Sequence, residues 1–216
     1  GTANLTSNYV EDVFVSKLDS SGNYVWAKSF GGTNRDYGRS VAVDSSGNVF
    51  TTGHFKSTLV DFDPGSGTAN LTLNSSGSTS YPGTDVFVSK LDSSGNYVWA
   101  KSFGGSGADF GHSVAVDSSG NVYTTGYFSG TVDFDPGSGT TNLTSNGVED
   151  VFISKLDSSG NYVWAKSFGS TNTNAEWGFS VAVDSSGNVY TIGNFYATVD
   201  FDPGSGTTNL TSNGGY

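Results

Sequence analysis

The sequence predicts an all-β protein, a β-propeller of four-stranded antiparallel blades, with three blade-equivalents per chain and one blade split between the termini. Three observations predict it. Long strings recur almost unchanged: LDSSGNYVWAKSF at 18–30, 91–103 and 156–168, SVAVDSSGNV at 40–49, 113–122 and 180–189, and VDFDPGSGT from Val60, Val132 and Val199. The copies lie 65 to 73 residues apart, too far for most helical solenoids and right for one blade carrying an insertion. The strand segments have no cleanly polar face, as expected when sheets are covered on both sides. A sandwich would show cleaner alternation.

The middle copy shows how each element is read. The apolar run 113–116 ends at Asp117, the turn Asp-Ser-Ser-Gly-Asn follows, and 122–128 is rich in Val, Tyr, Thr and Phe, which suit a pleated surface. These are strands A and B of a hairpin. Asp opens the turn and Gly120 takes the left-handed conformation, giving a type I turn with a bulge. An irregular insertion spans 129–149. A second hairpin then supplies strand C (150–156), the same turn, and strand D (162–168). Strand C alternates Val151, Ile153 and Lys155 against Phe152, Ser154 and Leu156.

The phase of the copies sets the expected organisation. Residues 1–30 supply strands C and D of a split blade, 38–103 and 111–168 are full blades, and 178–216 supply strands A and B. Closed propellers typically have four to eight blades, so one chain is not expected to close a ring. Two chains joining their halves reciprocally make a homodimer, a closed six-bladed ring with two-fold symmetry.

Composition narrows the partners. Net charge is −11 with pI near 4.2, which argues against nucleic acid, because phosphate binding needs clustered Lys and Arg. No stretch approaches a membrane span. Cysteine and methionine are absent, so disulfides and thiolate metal sites are excluded. No signal peptide is expected, and the chain is read as a mature or excised segment.

The strings D-V-F-V-S-K-L-D-x-x-G-N, an aromatic strand ending F-G-G, a D-x-G, and A-V-D-x-x-G-N-V-Y-x-T-G resemble the SBBP-type β-propeller repeat of secreted bacterial proteins. The resemblance covers almost the whole chain. It implies a propeller, usually of more blades than this, on an extracellular or cell-surface bacterial protein. It implies no shared catalytic activity and transfers no functional residues.

Candidate binding residues come from what differs between copies. The hairpin turns are constant. The D–A connections (31–39, 104–112, 169–179) and the residues after strand B differ, and the first insertion carries extra residues at 75–81. Function is often carried on loops mounted on a rigid scaffold. Each D–A loop keeps an acid followed by an aromatic: Asp36-Tyr37, Asp109-Phe110 and Glu176-Trp177. With Arg39, His54, His112, Tyr127, Phe179 and Asn194, these are the expected ligand contacts. An acid beside an aromatic platform suits a glycan or protein ligand, and equally suits a structural plug at the start of strand A.

The pairs Asp61/Asp63, Asp133/Asp135 and Asp200/Asp202 are candidate Ca²⁺ ligands, since carboxylates two residues apart on an extended segment face one way. The competing role is an Asp-Pro-Gly turn. Asn-Leu-Thr at Asn4, Asn70, Asn142 and Asn209 fits a glycosylation acceptor, or a short strand or turn inside the insertion. Enzyme signals are poor. The two histidines occupy non-equivalent positions and no Ser sits in a nucleophile elbow. The expected function is a non-catalytic binding or scaffold module of a secreted bacterial protein. The alternatives are a carbohydrate-binding, lectin-like propeller and a carboxylate-dependent glycoside hydrolase or lyase.

Overall fold

The computed structural model describes residues 4–74, 83–171 and 173–214. Among these residues every regular element is a strand, in chain order. The first hairpin is β1 (Val13–Leu18) and β2 (Tyr24–Phe30). One four-stranded antiparallel sheet follows, β3 (Asp36–Val43), β4 (Val49–Phe55), β7 (Asp85–Leu91) and β8 (Tyr97–Phe103) in that spatial order. A second has the same order: β9 (Phe110–Val116), β10 (Val122–Phe128), β13 (Asp150–Leu156) and β14 (Tyr162–Phe168). The hairpin β15 (Trp177–Val183) and β16 (Val189–Asn194) completes the set of long strands. The expected strand order A–B–C–D is therefore observed in two sheets, and the C–D and A–B halves stand alone. No helix of the described residues is long and apolar enough to cross a membrane.

Each insertion folds into its own small hairpin: β5 (Leu59–Asp61) with β6 (Asn70–Thr72), β11 (Thr131–Asp133) with β12 (Asn142–Thr144), and β17 (Thr198–Asp200) with β18 (Asn209–Thr211). The Asn-Leu-Thr repeats at Asn70, Asn142 and Asn209 are thus strands, as the second of their two readings expects. The extra residues at 75–81 lie outside the described residues.

The six DSSGN turns take the expected form. In the first, Gly22 donates to the Asp19 carbonyl at 3.0 Å, and the Asp19 carboxylate accepts from Ser21 and Asn23 N–H at 2.9 and 2.8 Å. Gly22 sits at φ 81° and its five counterparts at 78–83°, where a Cβ would be strained. The Asn23 side chain, bonded to the second carboxylate oxygen, is the chief reason the Asp19 carboxyl is held below its usual range.

The VDFDP string has a further role that the carboxylate reading missed: its apolar residues are core. Val60, Phe62, Val132 and Phe134 are buried. Phe62 packs on Phe30 (4.8 Å between centroids), Phe87 (5.1 Å) and Phe55 (6.0 Å). Phe134 repeats this with Phe103, Phe152 and Phe128 at 5.0, 5.2 and 5.3 Å. Each small hairpin is pinned between a strand D, the next strand B and the next strand C.

The sheets stack face to face in a row through their A strands: β9 packs on β3 and β4, and β15 packs on β9 and β10. Glycine permits the approach. A Cβ on Gly111 would lie 2.6 Å from Thr52 Oγ1, and one on Gly178 2.6 Å from Thr125 Oγ1. Val114 N–H donates to Ser40 Oγ and Val181 N–H to Ser113 Oγ, at 3.3 and 3.2 Å, from one sheet to the next. At the rim, Trp26 and Trp99 donate to the Ser93 and Ser158 carbonyls in the C–D turn of the following sheet, both at 3.2 Å. Among the described residues the row does not close.

Candidate functional site

A β-bulge at the same place in every A strand builds the site. Gly38 pairs with Gly53 and Ser40 with Thr52, leaving Arg39 without a partner in the ladder. His112 and Phe179 occupy the same unpaired position in β9 and β15. A bulge re-aims its side chain out of the pleat. Arg39 and Phe179 are exposed and His112 is half-buried. One A-strand position thus presents a guanidinium, an imidazole and a phenyl ring along the row of sheets.

Beneath this row the aromatics predicted from the D–A loops come together as one band. Tyr37 lies against His54 (4.9 Å between centroids), His54 against Phe110 (4.2 Å), and Phe110 stacks on Tyr127 (4.7 Å). Tyr127 meets His112 at 5.2 Å and Trp177 at 5.9 Å, and Phe179 meets His112 at 5.7 Å and Trp177 at 6.3 Å. The Arg39 guanidinium sits 5.3 Å from the Tyr37 ring centre, within cation–π range. Asn194, the β16 counterpart of His54 and Tyr127, is exposed beside the band.

The three acids face the other way. Asp36, Asp109 and Glu176 are almost wholly buried. Asp36 accepts from Gly32 and Lys56 N–H and from Ser57 Oγ. Asp109 accepts from Gly105 and Ser129 N–H at 2.8 and 3.1 Å. Glu176 accepts from Ser170 Oγ at 2.8 Å. They tie each D–A loop to the residues before or after it, which is the plug geometry.

Burial sets the ionisation of the site. It pushes the Asp109 carboxyl up to about 7 and that of Asp85, the first residue of β7, up to about 6. It lowers His54 to about 3, helped by the positive charge of Arg39, and also lowers His112. His54 Nδ1 is buried with no hydrogen-bond partner among the described residues, whereas His112 Nδ1 lies 2.9 Å from the Gly178 carbonyl. Tyr127 is raised to about 12 by burial and then by Glu149. Near neutral pH the band is uncharged apart from Arg39.

Two residues of the site were missed by sequence reasoning. Glu149 accepts from Trp177 Nε1 at 2.6 Å. Glu11, at the same position before strand C, lies 3.6 Å from Arg35 and raises the Tyr37 hydroxyl by hydrogen bonding. The acidic pair Glu-Asp opening strand C at Glu11 and Glu149 was the available signal.

The carboxylates read as calcium ligands hold their own loops. Asp61 Oδ1 accepts from Asp63 and Ala69 N–H at 3.0 and 2.8 Å, and Asp63 Oδ1 from Gly65 N–H at 2.7 Å. Asp133 and Asp135 repeat this pattern, as do Asp200 and Asp202. Among the described residues no group of three or more His, Asp or Glu is arranged to hold a metal ion.

The segments 25–54 and 98–127, each running from strand D across the D–A loop to strand B, match the SBBP β-propeller repeat. Two segments of the chain are thus similar to the SBBP repeat. It is 30% identical over 191 residues to an uncharacterized WD repeat-containing protein, L264, of Acanthamoeba polyphaga mimivirus, covering 85% of this chain and 14% of that protein. It is 32% identical over 132 residues to the regulatory protein FlaEY of Caulobacter vibrioides, covering 59% of this chain and 13% of that one. The chain therefore spans only a small part of each relative's length.

Proposed function

We propose that this chain is a non-catalytic binding module of a secreted bacterial protein, and that its ligand docks on the bulge row over the aromatic band. The observation that carries this reading is the bulge itself. The same backbone irregularity projects Arg39, His112 and Phe179, while the flanking residues Ser-Val-Ala-Val do not vary. A scaffold that holds its backbone constant and varies the projected group is built for recognition. The commitment of Asp36, Asp109 and Glu176 to loop backbones supports a non-catalytic role, because a working acid or base needs an oxygen facing substrate.

A carbohydrate is the ligand class with its own support: a phenyl and a guanidinium beside stacked aromatics provide faces and donors for a pyranose ring. The test is a glycan array probed with the chain and with Arg39→Ala/His112→Ala/Phe179→Ala, the fold being checked by circular dichroism. Binding by the parent and its loss in the variant is expected. Glycan turnover abolished by one Asp→Asn change would replace this reading with the hydrolase. Binding unchanged in the variant overturns the site.

A further inference from the structure

We infer that the free edge of β16 is completed by the β1–β2 hairpin of a second copy of this chain, with Phe14 as the knob that enters a preformed hole. In the complete sheets, Phe87 packs on Phe30 and Phe62, and Phe152 on Phe103 and Phe134. Each ring passes over a strand-B glycine: a Cβ on Gly53 or Gly126 would come within 2.9 or 3.0 Å of it. The third site has every part but the ring. Phe201 packs on Phe168 and Phe195 at 4.9 and 5.3 Å, and with Gly193 these residues line a cavity of about 220 Å³. Phe14, the counterpart of Phe87 and Phe152, is 71% exposed where they are 0%.

Four independent features of the two edges agree. Ile192 and Tyr190 of β16 are 68% and 59% exposed, although Thr52 and Phe50 at the same positions are fully covered. In both complete sheets a strand-C lysine lies over a strand-B ring, Lys90 over Phe50 and Lys155 over Tyr123, each at 5.0 Å. Lys17 and Tyr190 are the unused third pair. Thr191 Oγ1 is buried without a partner among the described residues, while its counterpart Thr51 Oγ1 lies 2.6 Å from Ser89 Oγ of strand C. Gly95 and Gly160 lie under Trp26 and Trp99, but a Cβ on Gly22 would have nothing within 4 Å among the described residues. Trp164 is the tryptophan without a following turn.

A second copy is the occupant because its hairpin 12–30 is identical in sequence to 85–103, which fills the equivalent place beside β4. The register follows: Gly193 faces Phe14, Thr191 faces Ser16 and Val189 faces Leu18. β1 and β16 stand at opposite ends of the described row of sheets, and in this proposal the hairpin that meets β16 is the second copy's. Made twice, it closes two copies around a two-fold axis with six sheets in the ring. A cleft of about 490 Å³ between β1 and β3 then receives the partner's β15–β16 hairpin. This inference is independent of the ligand reading.

The test uses the chain's lack of cysteine. Cross-strand partners in an antiparallel pair lie within disulfide reach. Ser16→Cys and Thr191→Cys, mixed as separate proteins and oxidised mildly, should give a covalent heterodimer whose peptide map shows the 16–191 bond. Light scattering of the parent should report twice 22.4 kDa, and Phe14→Ala should shift it to a single chain with its sheet circular dichroism retained. A folded parent monomer at micromolar concentration overturns the proposal and leaves the edge to a hairpin elsewhere in a longer polypeptide. A parent assembly larger than two chains overturns it as well, as does an oxidised mixture without the 16–191 bond.

Discussion

His54 shows how one residue's surroundings set a measurable property. Its ring is almost fully buried between Tyr37 and Phe110, and its affinity for a proton falls to about 3. The unfolded chain takes up that proton near 6.5 and the folded chain does not. The contribution of neutral His54 to stability is therefore present above pH 6.5 and is lost as pH falls toward 3, by at most about 1.4 kcal/mol per pH unit. Asp85 and Asp109 act in the opposite sense. Raised to about 6 and 7, they favour the fold at low pH, and that contribution is lost as pH rises through those values. Whole-protein pH curves mix the two, so a substitution separates them. His54→Phe keeps the ring and removes the unpartnered nitrogen. Its stability gain over the parent in urea unfolding should be larger at pH 5 than at pH 7; an equal gain would refute the buried neutral imidazole. Ala197 offers a second case. It sits at φ 54°, where the middle copy has Gly130 at 74°, and a left-handed Ala costs about 1 kcal/mol. Ala197→Gly should raise stability by about that amount, and a lower melting temperature would show that the strain is not there.

At the scale of elements, the sequence was legible where identical strings recur, because recurrence marks local geometry. The DSSGN turns, the four-strand order and the Asn-Leu-Thr strands follow from turn chemistry and β-propensity alone. The aromatics of the D–A loops were legible as a group because each directly follows an acid, Asp36-Tyr37, Asp109-Phe110 and Glu176-Trp177. The bulge was not, since Gly-Arg-Ser reads as unbroken strand; it is set by Gly38 meeting Gly53 across the ladder, a pairing visible only in three dimensions. The same limit applies to the VDFDP string, whose carboxylates drew notice while its Phe carries the packing. Two predictions belong here. Gly126→Ala would place a methyl 1.7 Å from the Phe110 carbonyl oxygen, and should cost ~3 kcal/mol, the upper range for overpacking; a cost below the noise of unfolding measurements would mean the bulge is loose. The loop carboxylates already accept backbone N–H groups, so melting should be the same in chelator and in millimolar Ca²⁺. A rise on adding calcium would give Asp61, Asp133 and Asp200 the metal-binding role instead.

The whole molecule is a row of near-identical sheets, and rows of repeats gain stability from each neighbour contact. That makes the outermost residues a gauge of closure. Trp99 donates to the Ser158 carbonyl and packs on Gly160 of the next sheet. Trp164 occupies the same position one sheet later and has neither contact among the described residues. In an open row, Trp99→Phe removes an intersheet hydrogen bond worth about 1 kcal/mol, whereas Trp164→Phe removes nothing comparable. In a ring closed by a second copy, Trp164 reaches the partner's turn at Ser20, and the two substitutions become equivalent. The concentration dependence of unfolding provides the control, since a dimer that unfolds to two chains melts higher as it is concentrated. We expect Trp99→Phe and Trp164→Phe to lower stability equally at high concentration. On dilution below the dissociation point, the Trp164→Phe effect should vanish while the Trp99→Phe effect persists. A Trp164→Phe effect absent at every concentration would mean that the row stays open.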